Sequence, residues 1–480
     1  MKKNIEAEFF AIIDTTNKPK KFFEKQKFVD FKKNWFLHDH ILPTSNIDID
    51  YLKSFEEKYN IDLWNLVINE RLFYRFNDFH KFSKLEILSI LEKECKLFEE
   101  ALDTAKPDFV ILHEPFFHTD ELFYRICKGR GIKILMSYIS HFGFKYEISQ
   151  NDHVMDIISD FNNIPIKGRD FKELEKVFDE KNISKFIKKL NEQAFGNKMD
   201  LVKAAIDFGI KSKNMNPKTH YSYFGRTKLK VFTNTLNNSI KTSSRKKFID
   251  KKLRKTIDYN LKYIYFPLHI DQERSSLIQT PFYTNQIEFL RSVVKSLPID
   301  YTLYVKEHPT QSMRHWRDKQ WYKEIMDIPN LILIHPNVSS RKLIENCSLV
   351  ISISGTAALE AAFLQKPSIT FVDTDYTKIS SIERVRSIED LPKTIRQSLK
   401  KKITPDDLDR YVSLQERYAF EYDDMDFQES VLNKFYHGGR LVDVNIFDED
   451  MKEFLNEKEK NLEEFTNQHI QKIQYLKKLS

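Results

Sequence analysis

Cysteine and glycine are scarce in this chain of 480 residues, which contains 3 cysteines, 10 glycines and 15 prolines. Cys95, Cys127 and Cys347 lie far apart and have no CxxC partner, so neither a disulfide framework nor a zinc site is expected. The low glycine and proline content excludes collagen-like and low-complexity chains. Hydrophobic residues make up 41% of the sequence. The chain is therefore expected to be globular, and it is long enough for two or three domains.

Long apolar runs are also missing. No segment approaches the roughly 18 uninterrupted apolar residues that a membrane-spanning helix needs. The first residues include acids at positions where a signal peptide would become apolar. We therefore expect a cytoplasmic protein.

Acidic residues are nearly absent between residues 211 and 255, where 14 Lys and Arg accompany the single acid Asp250. We call this segment the basic belt. Its net charge is +13, whereas the whole chain has a net charge of +7, so the rest of the chain has a net charge of −6. Such a belt suits anionic lipid headgroups, a polyanionic glycan or nucleic acid, and it also suits a solvated linker. We expect a loop-rich linker at 211–258 that can hold the protein peripherally at the inner face of an anionic membrane, with no nucleic-acid partner.

The apolar pattern predicts an α/β fold. In the N-terminal half, apolar runs at 9–13, 108–113 and 132–138 alternate with helical patterns. Farther on, strands are predicted at 261–266, 301–305, 331–334, 349–353 and 368–372, with helices at 284–296, 340–346 and 356–364. Short strands with intervening helices indicate parallel sheets. The prediction is two Rossmann-like domains, at 1–210 and 259–395, joined by the linker 211–258 and followed by a helical extension at 396–480.

Two motifs suggest an anion site. Ser354, Gly355 and Thr356 lie between an apolar run and a strong helix former, in the sequence Ile-Ser-Ile-Ser-Gly-Thr-Ala-Ala-Leu-Glu-Ala at 351–361. N–H groups at such a helix start can hold a phosphate, although an ordinary helix cap uses the same residues. Lys306 and His308, in Val-Lys-Glu-His-Pro at 305–309, end another strand. In a parallel sheet both motifs lie at the carboxyl edge, where ligands bind.

These motifs carry a family resemblance. Ser-Gly-Thr-Ala-Ala-Leu-Glu-Ala, followed by Leu-Gln-Lys-Pro-Ser-Ile at 364–369, resembles the donor-nucleotide motif of two-domain (GT-B) glycosyltransferases, especially lipid A disaccharide synthase and capsule polysaccharide transferases. Val-Lys-Glu-His-Pro, with Tyr-Phe-Pro-Leu-His at 265–269 and Glu-Arg-Ser at 273–275, is similar to the bacterial capsule and surface-polysaccharide branch, which includes Kdo transferases. The likeness covers about residues 260–375. Gln365 replaces the usual helix-ending glycine, and Gln272 replaces a frequent proline.

The resemblance implies a glycosyltransferase that uses a UDP- or CMP-linked sugar, without a metal ion, to extend a capsule or surface polysaccharide. The residues expected to bind the donor are His269, Lys306, Ser354, Gly355, Thr356 and Glu360, of which Glu360 would hold the ribose. Those expected to take part in catalysis are Glu114, Glu273 and His308. Glu114 is the first candidate for the base on the acceptor side. His118, Asp120 and His141 compete with it, although Asp120 also suits a helix cap.

Two other functions remain open at this stage. A sugar-nucleotide 2-epimerase of the same fold would use the same donor motif without an acceptor. A non-enzymatic assembly factor would instead bind polyanions through the basic belt. The acceptor, the linkage and the stereochemical outcome do not follow from the sequence.

Overall fold

The computed structural model describes residues 5–143, 145–180, 206, 208–209 and 215–479. The chain divides into two compact units. The first contains Met1–Ser137, Glu192–Asn234 and Tyr422–Ser480, and the second contains Tyr138–Asn191 and Thr235–Glu421. This division differs from the four consecutive segments expected at 1–210, 211–258, 259–395 and 396–480. Shifts in composition mark consecutive segments, and they give no signal for a chain that returns to an earlier unit.

The first unit contains two pairs of parallel strands. Strand β1 (Phe10–Ile13) pairs with β2 (Lys33–Phe36), and β3 (Phe109–His113) pairs with the first five residues of β4 (Lys133–Ile139). The helix Lys84–Ala105 begins with a capping box between Ser83 and Glu86. The helices of this unit are Asn17–Lys25, Leu37–His40, Ile49–Tyr59, Leu63–Ile68, Lys84–Ala105, His118–Gly129, Asn216–Thr219, Asp424–Phe435, Asp448–Glu457 and Glu459–Lys478, with short turns of helix at Arg71–Arg75 and Tyr221–Tyr223.

The second unit is built on a sheet of six parallel strands. They are β6 (Tyr263–Pro267), β7 (Thr302–Lys306), β8 (Leu331–Ile334), β9 (Leu349–Ile351), β10 (Ser368–Thr370) and β11 (Ile382–Arg384). Outside the six-stranded sheet, the short strand β5 (Lys145–Ser149) lies next to β4 and pairs antiparallel with β12 (Phe420–Glu421). The helices are Phe171–Glu180, Arg274–Leu277, Gln286–Ser296, Lys319–Met326, Ser340–Asn346, Ala357–Phe363, Leu391–Ser398 and Asp406–Tyr418, with 3-10 turns at Asp156–Asn163, Pro309–Arg314 and Ile388–Asp390.

The order of the six strands across this sheet is β11-β10-β9-β6-β7-β8. Counted along the chain, the order from the other edge is third, second, first, fourth, fifth and sixth, which is the order of the Rossmann fold. Helices between the strands cover both faces, so β6 and β9 read as continuous buried apolar runs. The predicted α/β fold with parallel sheets and a helical C-terminal region is confirmed, and all eight elements predicted between residues 261 and 372 are present.

The loop-rich linker expected at 211–258 is wrong for most of its length, because Lys228–Lys252 forms a helix of 25 residues. Its Asn, Thr and Ser residues disfavour helix only weakly, while Lys, Leu and Arg favour it. Lys211 and Lys213 lie outside the described residues. Every helix in the described ranges is too short or too polar to span a bilayer.

Candidate nucleotide-binding site

The candidate site lies at the switch point of the six-stranded sheet. Strands β6 and β9 are neighbours there, and the chain leaves them in opposite directions along the sheet. The carboxyl end of β6 leads to His269, and that of β9 leads to the turn 352–356. In doubly wound sheets the ligand crevice lies outside the carboxyl ends of the strands at this point.

The turn after β9 is held closed by its own side chains. Gly355 donates its backbone N–H to Ser352 Oγ over 2.9 Å. A Cβ on Gly355 would lie 2.8 Å from that oxygen and 3.1 Å from Cε1 of His269, so a glycine is needed here for close approach. Ser354 is buried, and its Oγ has no hydrogen-bond partner among the described residues. A buried hydroxyl without a partner is costly unless a ligand satisfies it.

His269 connects the loop after β6 to this turn. Its Nε2 accepts the N–H of Ile353 over 3.2 Å and lies 3.4 Å from Ser352 Oγ. Burial lowers the pKa of His269 to about 3, so the ring is neutral and Nε2 carries the lone pair. His269 therefore positions the turn, and it can meet a ligand only as a neutral imidazole.

Lys306 and Glu360 lie close enough for their charges to interact. Lys306, at the end of β7, is buried and donates to Ser340 Oγ over 2.6 Å. Burial lowers its pKa to about 8, although the charge of Glu360 opposes the shift. Burial raises the pKa of Glu360, whose Oε1 accepts the Thr356 hydroxyl over 3.2 Å. The edge thus presents one ammonium and one carboxyl group beside the turn.

His308 is also a neutral ring. Burial lowers its pKa to about 4, and the cations Lys306 and Arg317 contribute to the shift. Thr310 donates its N–H to Nδ1 over 3.3 Å, which places the ring proton on Nε2. His308 can therefore donate a hydrogen bond to an anion as a neutral imidazole.

A buried ion network beneath His308 was not foreseen from the sequence. Glu307 is fully buried and accepts from the backbone N–H of His308 at 2.6 Å, from Arg317 Nε at 3.0 Å and from the Tyr322 hydroxyl at 2.7 Å. Arg317 also forms an ion pair with Asp271 and donates to the carbonyl of His269. The network fixes both histidine loops. Arg317 lies in a polar stretch, and no pattern there singles it out.

Glu273 lies in the loop after β6, where it is exposed and precedes the short helix Arg274–Leu277. Its backbone carbonyl accepts from Ser276 and Leu277. The neighbouring Arg274 pairs with the buried Asp152 at 3.5 Å. The structure therefore places Glu273 in the same unit as the turn, and nothing in its described contacts distinguishes it as catalytic.

Glu114, Asp120 and His118 belong to the first unit. Glu114 follows β3 and is partly buried. Asp120 Oδ2 accepts the N–H groups of Phe116 and Phe117, both at 3.0 Å, so it caps the helix that begins at His118. His118 is buried between Glu70 and Glu94, each 3.1 Å away. Burial opposes protonation, but the two carboxylates raise the pKa of His118 to about 10. His118 remains protonated at neutral pH and cannot act as a base.

Seven of the expected site residues therefore lie in the second unit at one edge of its sheet. They are His269, Lys306, His308, Ser354, Gly355, Thr356 and Glu360. An unpartnered buried hydroxyl, a buried ammonium and a neutral N–H donor form an environment suited to a phosphate group. The second unit is therefore an α/β unit with Rossmann strand order whose candidate site suits an anionic ligand.

Comparison with known families agrees with this description. Residues 173–379 match the family model described as "Capsule polysaccharide biosynthesis protein". The matched segment contains the motifs that carry the resemblance, so this comparison agrees with the family expected from them. The match contains all seven site residues and ends before the C-terminal helices. No curated protein matches the chain.

Solved structures give distant likenesses. UDP-GlcNAc 2-epimerase from Methanocaldococcus jannaschii is 15% identical, over 85% of this chain and 98% of its own, with a TM-score of 0.26. The Thermosulfurimonas dismutans protein KpsC, a beta Kdo 2,7 transferase, is 10% identical over 87% and 92%, with a TM-score of 0.32. UDP-GlcNAc 2-epimerase from Neisseria meningitidis, bound to UDP-GlcNAc, is 13% identical over 89% and 100%, with a TM-score of 0.27. At this distance these structures do not discriminate between a transferase and an epimerase.

Proposed function

We propose that the protein is a glycosyltransferase of the GT-B type that transfers a sugar from a nucleotide-sugar donor to a capsule or surface-polysaccharide acceptor. The observation that carries the proposal is the buried hydroxyl of Ser354, which has no hydrogen-bond partner in the described part of the chain. It lies at the switch point of a Rossmann-ordered sheet, within the segment that matches the capsule family. A nucleotide phosphate would satisfy this hydroxyl.

In this proposal the nucleotide-sugar contacts both the turn 352–356 and the residues at the end of β7. Ser354 and Thr356 bind the phosphate with Lys306, whose ammonium is partly desolvated and therefore interacts strongly with an anion. His308 donates from Nε2 to the leaving phosphate as negative charge develops. Glu360 accepts from a ribose hydroxyl. Glu273 remains a proposed site residue in the loop after β6.

The reaction in this proposal needs no metal ion, because Lys306 and the hydrogen-bond donors of the turn stabilise the leaving nucleotide. The donor carries UDP or CMP. A base must remove a proton from the acceptor hydroxyl. Glu114, at the end of β3, is the residue expected from the sequence for that role.

Product analysis tests this function. The full chain is incubated with a panel of UDP- and CMP-linked sugars, with and without capsule oligosaccharides, and the products are identified by mass spectrometry. The proposal expects nucleotide release that depends on the acceptor, together with a longer glycan. An epimerised sugar nucleotide formed without acceptor would show a 2-epimerase instead. Absence of nucleotide binding would leave a polyanion-binding assembly factor.

We also propose that the helix Lys228–Lys252 holds the protein at an anionic membrane surface. Four large apolar side chains on its first half are exposed: Leu229 by 73%, Phe232 by 63%, Leu236 by 51% and Ile240 by 69%. Their spacing of three, four and four residues places them on one face of the helix. Lys228, Lys230 and Lys241 are exposed nearby. An apolar stripe among lysines is typical of helices that lie in a lipid interface.

Vesicle co-sedimentation tests the membrane proposal. Binding to vesicles that contain phosphatidylglycerol should weaken with salt, because charges are screened over about 8–10 Å at moderate ionic strength. Phe232→Ser together with Ile240→Ser should weaken binding further. Ile299→Ser is the control, since Ile299 is even more exposed than the two substituted residues but lies outside the helix. Sedimentation that does not depend on salt, on anionic lipid or on the two stripe substitutions would contradict the membrane proposal.

A further inference from the structure

We infer that His141, held by the buried Asp375, is the general base that removes the proton from the acceptor hydroxyl. The inference rests on the proposed glycosyltransferase function and names its catalytic residue. His141 follows β4 and belongs to the second unit, as does Asp375, which follows β10. His141 Nδ1 lies 2.6 Å from Asp375 Oδ1.

The surroundings of Asp375 keep it ionised. The Tyr411 hydroxyl donates to Oδ2 over 2.8 Å, and the Ser140 hydroxyl and the backbone N–H of His141 each approach it at 3.4 Å. Burial alone would raise the pKa of Asp375, but the charge of His141 when its ring is protonated, together with hydrogen bonds from His141 and Tyr411, holds the pKa below its ordinary value. An ionised carboxylate only accepts hydrogen bonds, so Nδ1 of His141 carries a proton. In the neutral ring the basic lone pair is then on Nε2.

This pair lies one side chain away from the candidate phosphate turn. The ring of Tyr376 meets the His141 ring edge to face, with centroids 5.1 Å apart. The Tyr376 hydroxyl donates to the carbonyl of Gly355 over 3.0 Å and approaches that of Ser354 at 3.3 Å. The side chain of His141 is 21% exposed, whereas that of Asp375 is fully buried. The imidazole is therefore accessible next to the turn, while its carboxylate partner is sealed from water.

The step balances without any further reactant. An acceptor hydroxyl gives its proton to Nε2 of His141, and its oxygen forms a bond to the anomeric carbon of the donor sugar. The bond between that carbon and the phosphate oxygen breaks, and its electron pair leaves on the nucleotide. Asp375 stabilises the imidazolium that results, since it already holds Nδ1–H.

A second histidine–carboxylate pair in the same unit provides a contrast. His335 Nε2 lies 3.0 Å from Asp250 Oδ1, but there the histidine is buried and the carboxylate is 46% exposed. A buried ring with its partner in solvent cannot offer its base to a substrate. His335 therefore serves as the matched control for His141. Glu114, in contrast to His141, belongs to the first unit and not to the unit that carries the turn.

The test compares variants of the full chain in the product assay and in nucleotide titration calorimetry. His141→Asn keeps a donor near Asp375 but removes the base, and His141→Ala opens space for added imidazole. We expect the value of kcat to fall roughly 100-fold or more in both, with unchanged nucleotide affinity and partial rescue of His141→Ala by imidazole. Asp375→Asn should lower kcat at least about tenfold by favouring the wrong tautomer. His335→Gln should keep wild-type kcat.

Three results would overturn the inference, and they differ from failure of the proposed function. Wild-type kcat in His141→Asn, or loss of activity in Glu114→Gln alone, would remove His141 from the role of base while transfer itself stands. Lost nucleotide affinity in both His141 variants, without imidazole rescue, would show that the pair only supports the fold. A wild-type protein that makes an epimer and transfers no sugar would refute the proposed function itself, and the acceptor base with it.

Discussion

Gly355→Ala is the substitution whose effect follows most directly from the geometry of the site. The added carbon would lie 2.8 Å from Ser352 Oγ and 3.1 Å from His269 Cε1. Neither neighbour moves easily, since Ser352 is buried with its hydroxyl bonded to Gly355 and His269 is bonded to Ile353. Overpacking of this kind costs about 1–3 kcal/mol. We expect a loss of stability in that range and a nucleotide affinity at least about tenfold weaker.

A double-mutant cycle isolates the cause. Ser352→Ala alone should cost about 1 kcal/mol, the value of one hydrogen bond. In the double variant the nearest clash is gone, so the combined cost should be smaller than the sum by about 1 kcal/mol. Urea unfolding and nucleotide titration calorimetry of the full chain measure both quantities, with circular dichroism to confirm folding. Strict additivity, or a Gly355→Ala variant identical to the wild type, would refute the close-approach argument.

Three further predictions concern neighbouring residues. Nucleotide affinity should decrease as the pH rises above about 8, because the pKa of Lys306 is about 8 and its ammonium is present only below that pH. Titration calorimetry of Lys306→Met should show no such decrease. If this variant keeps the pH dependence of the wild type, Lys306 does not bind the phosphate. Glu307→Gln should destabilise the protein by on the order of 3 kcal/mol in urea unfolding, because it leaves Arg317 buried without its main counter-charge. The control is Glu324→Gln, in the exposed pair with Arg291, which should change the free energy of unfolding little. Gln365→Gly should raise stability by about 1 kcal/mol, since Gln365 has a φ of 57° and glycine adopts that conformation without strain; a lower melting temperature would count against it.

The second unit was predictable because its strands are short, apolar and separated by helices with regular spacing. Strand β8 and the helix Ser340–Asn346 match their predicted bounds. The sequence also indicated that Gln365 occupies the position where a glycine usually ends the helix. In the structure Gln365 adopts the left-handed backbone conformation that this position requires. These features depend only on neighbouring residues, so a short stretch of the sequence is enough to predict them.

Features that depend on distant partners were not predictable. Asp375 lies in the polar sequence Asp-Thr-Asp at 373–375, yet it is fully buried against His141 and Tyr411. Its burial follows from contacts across 234 residues of chain. Likewise, the helix Lys228–Lys252 was expected as a loop-rich linker, because its exposed apolar stripe is diluted by Asn, Thr and Ser. Several polar residues of the site were therefore predicted from the sequence. The hydrogen bonds and ion pairs between them, which set their protonation states, were not.

Binding of nucleotide to the turn at the switch point is the central claim, and one titration tests it most directly. Thermal shift of the full chain is measured with UDP, CMP, GDP and CDP, for the wild type and for Lys306→Ala. The account predicts that UDP or CMP raises the melting temperature of the wild type in a saturable way, and that this rise is strongly reduced in Lys306→Ala. An absence of any shift in the wild type, or an equal shift in both proteins, would contradict it.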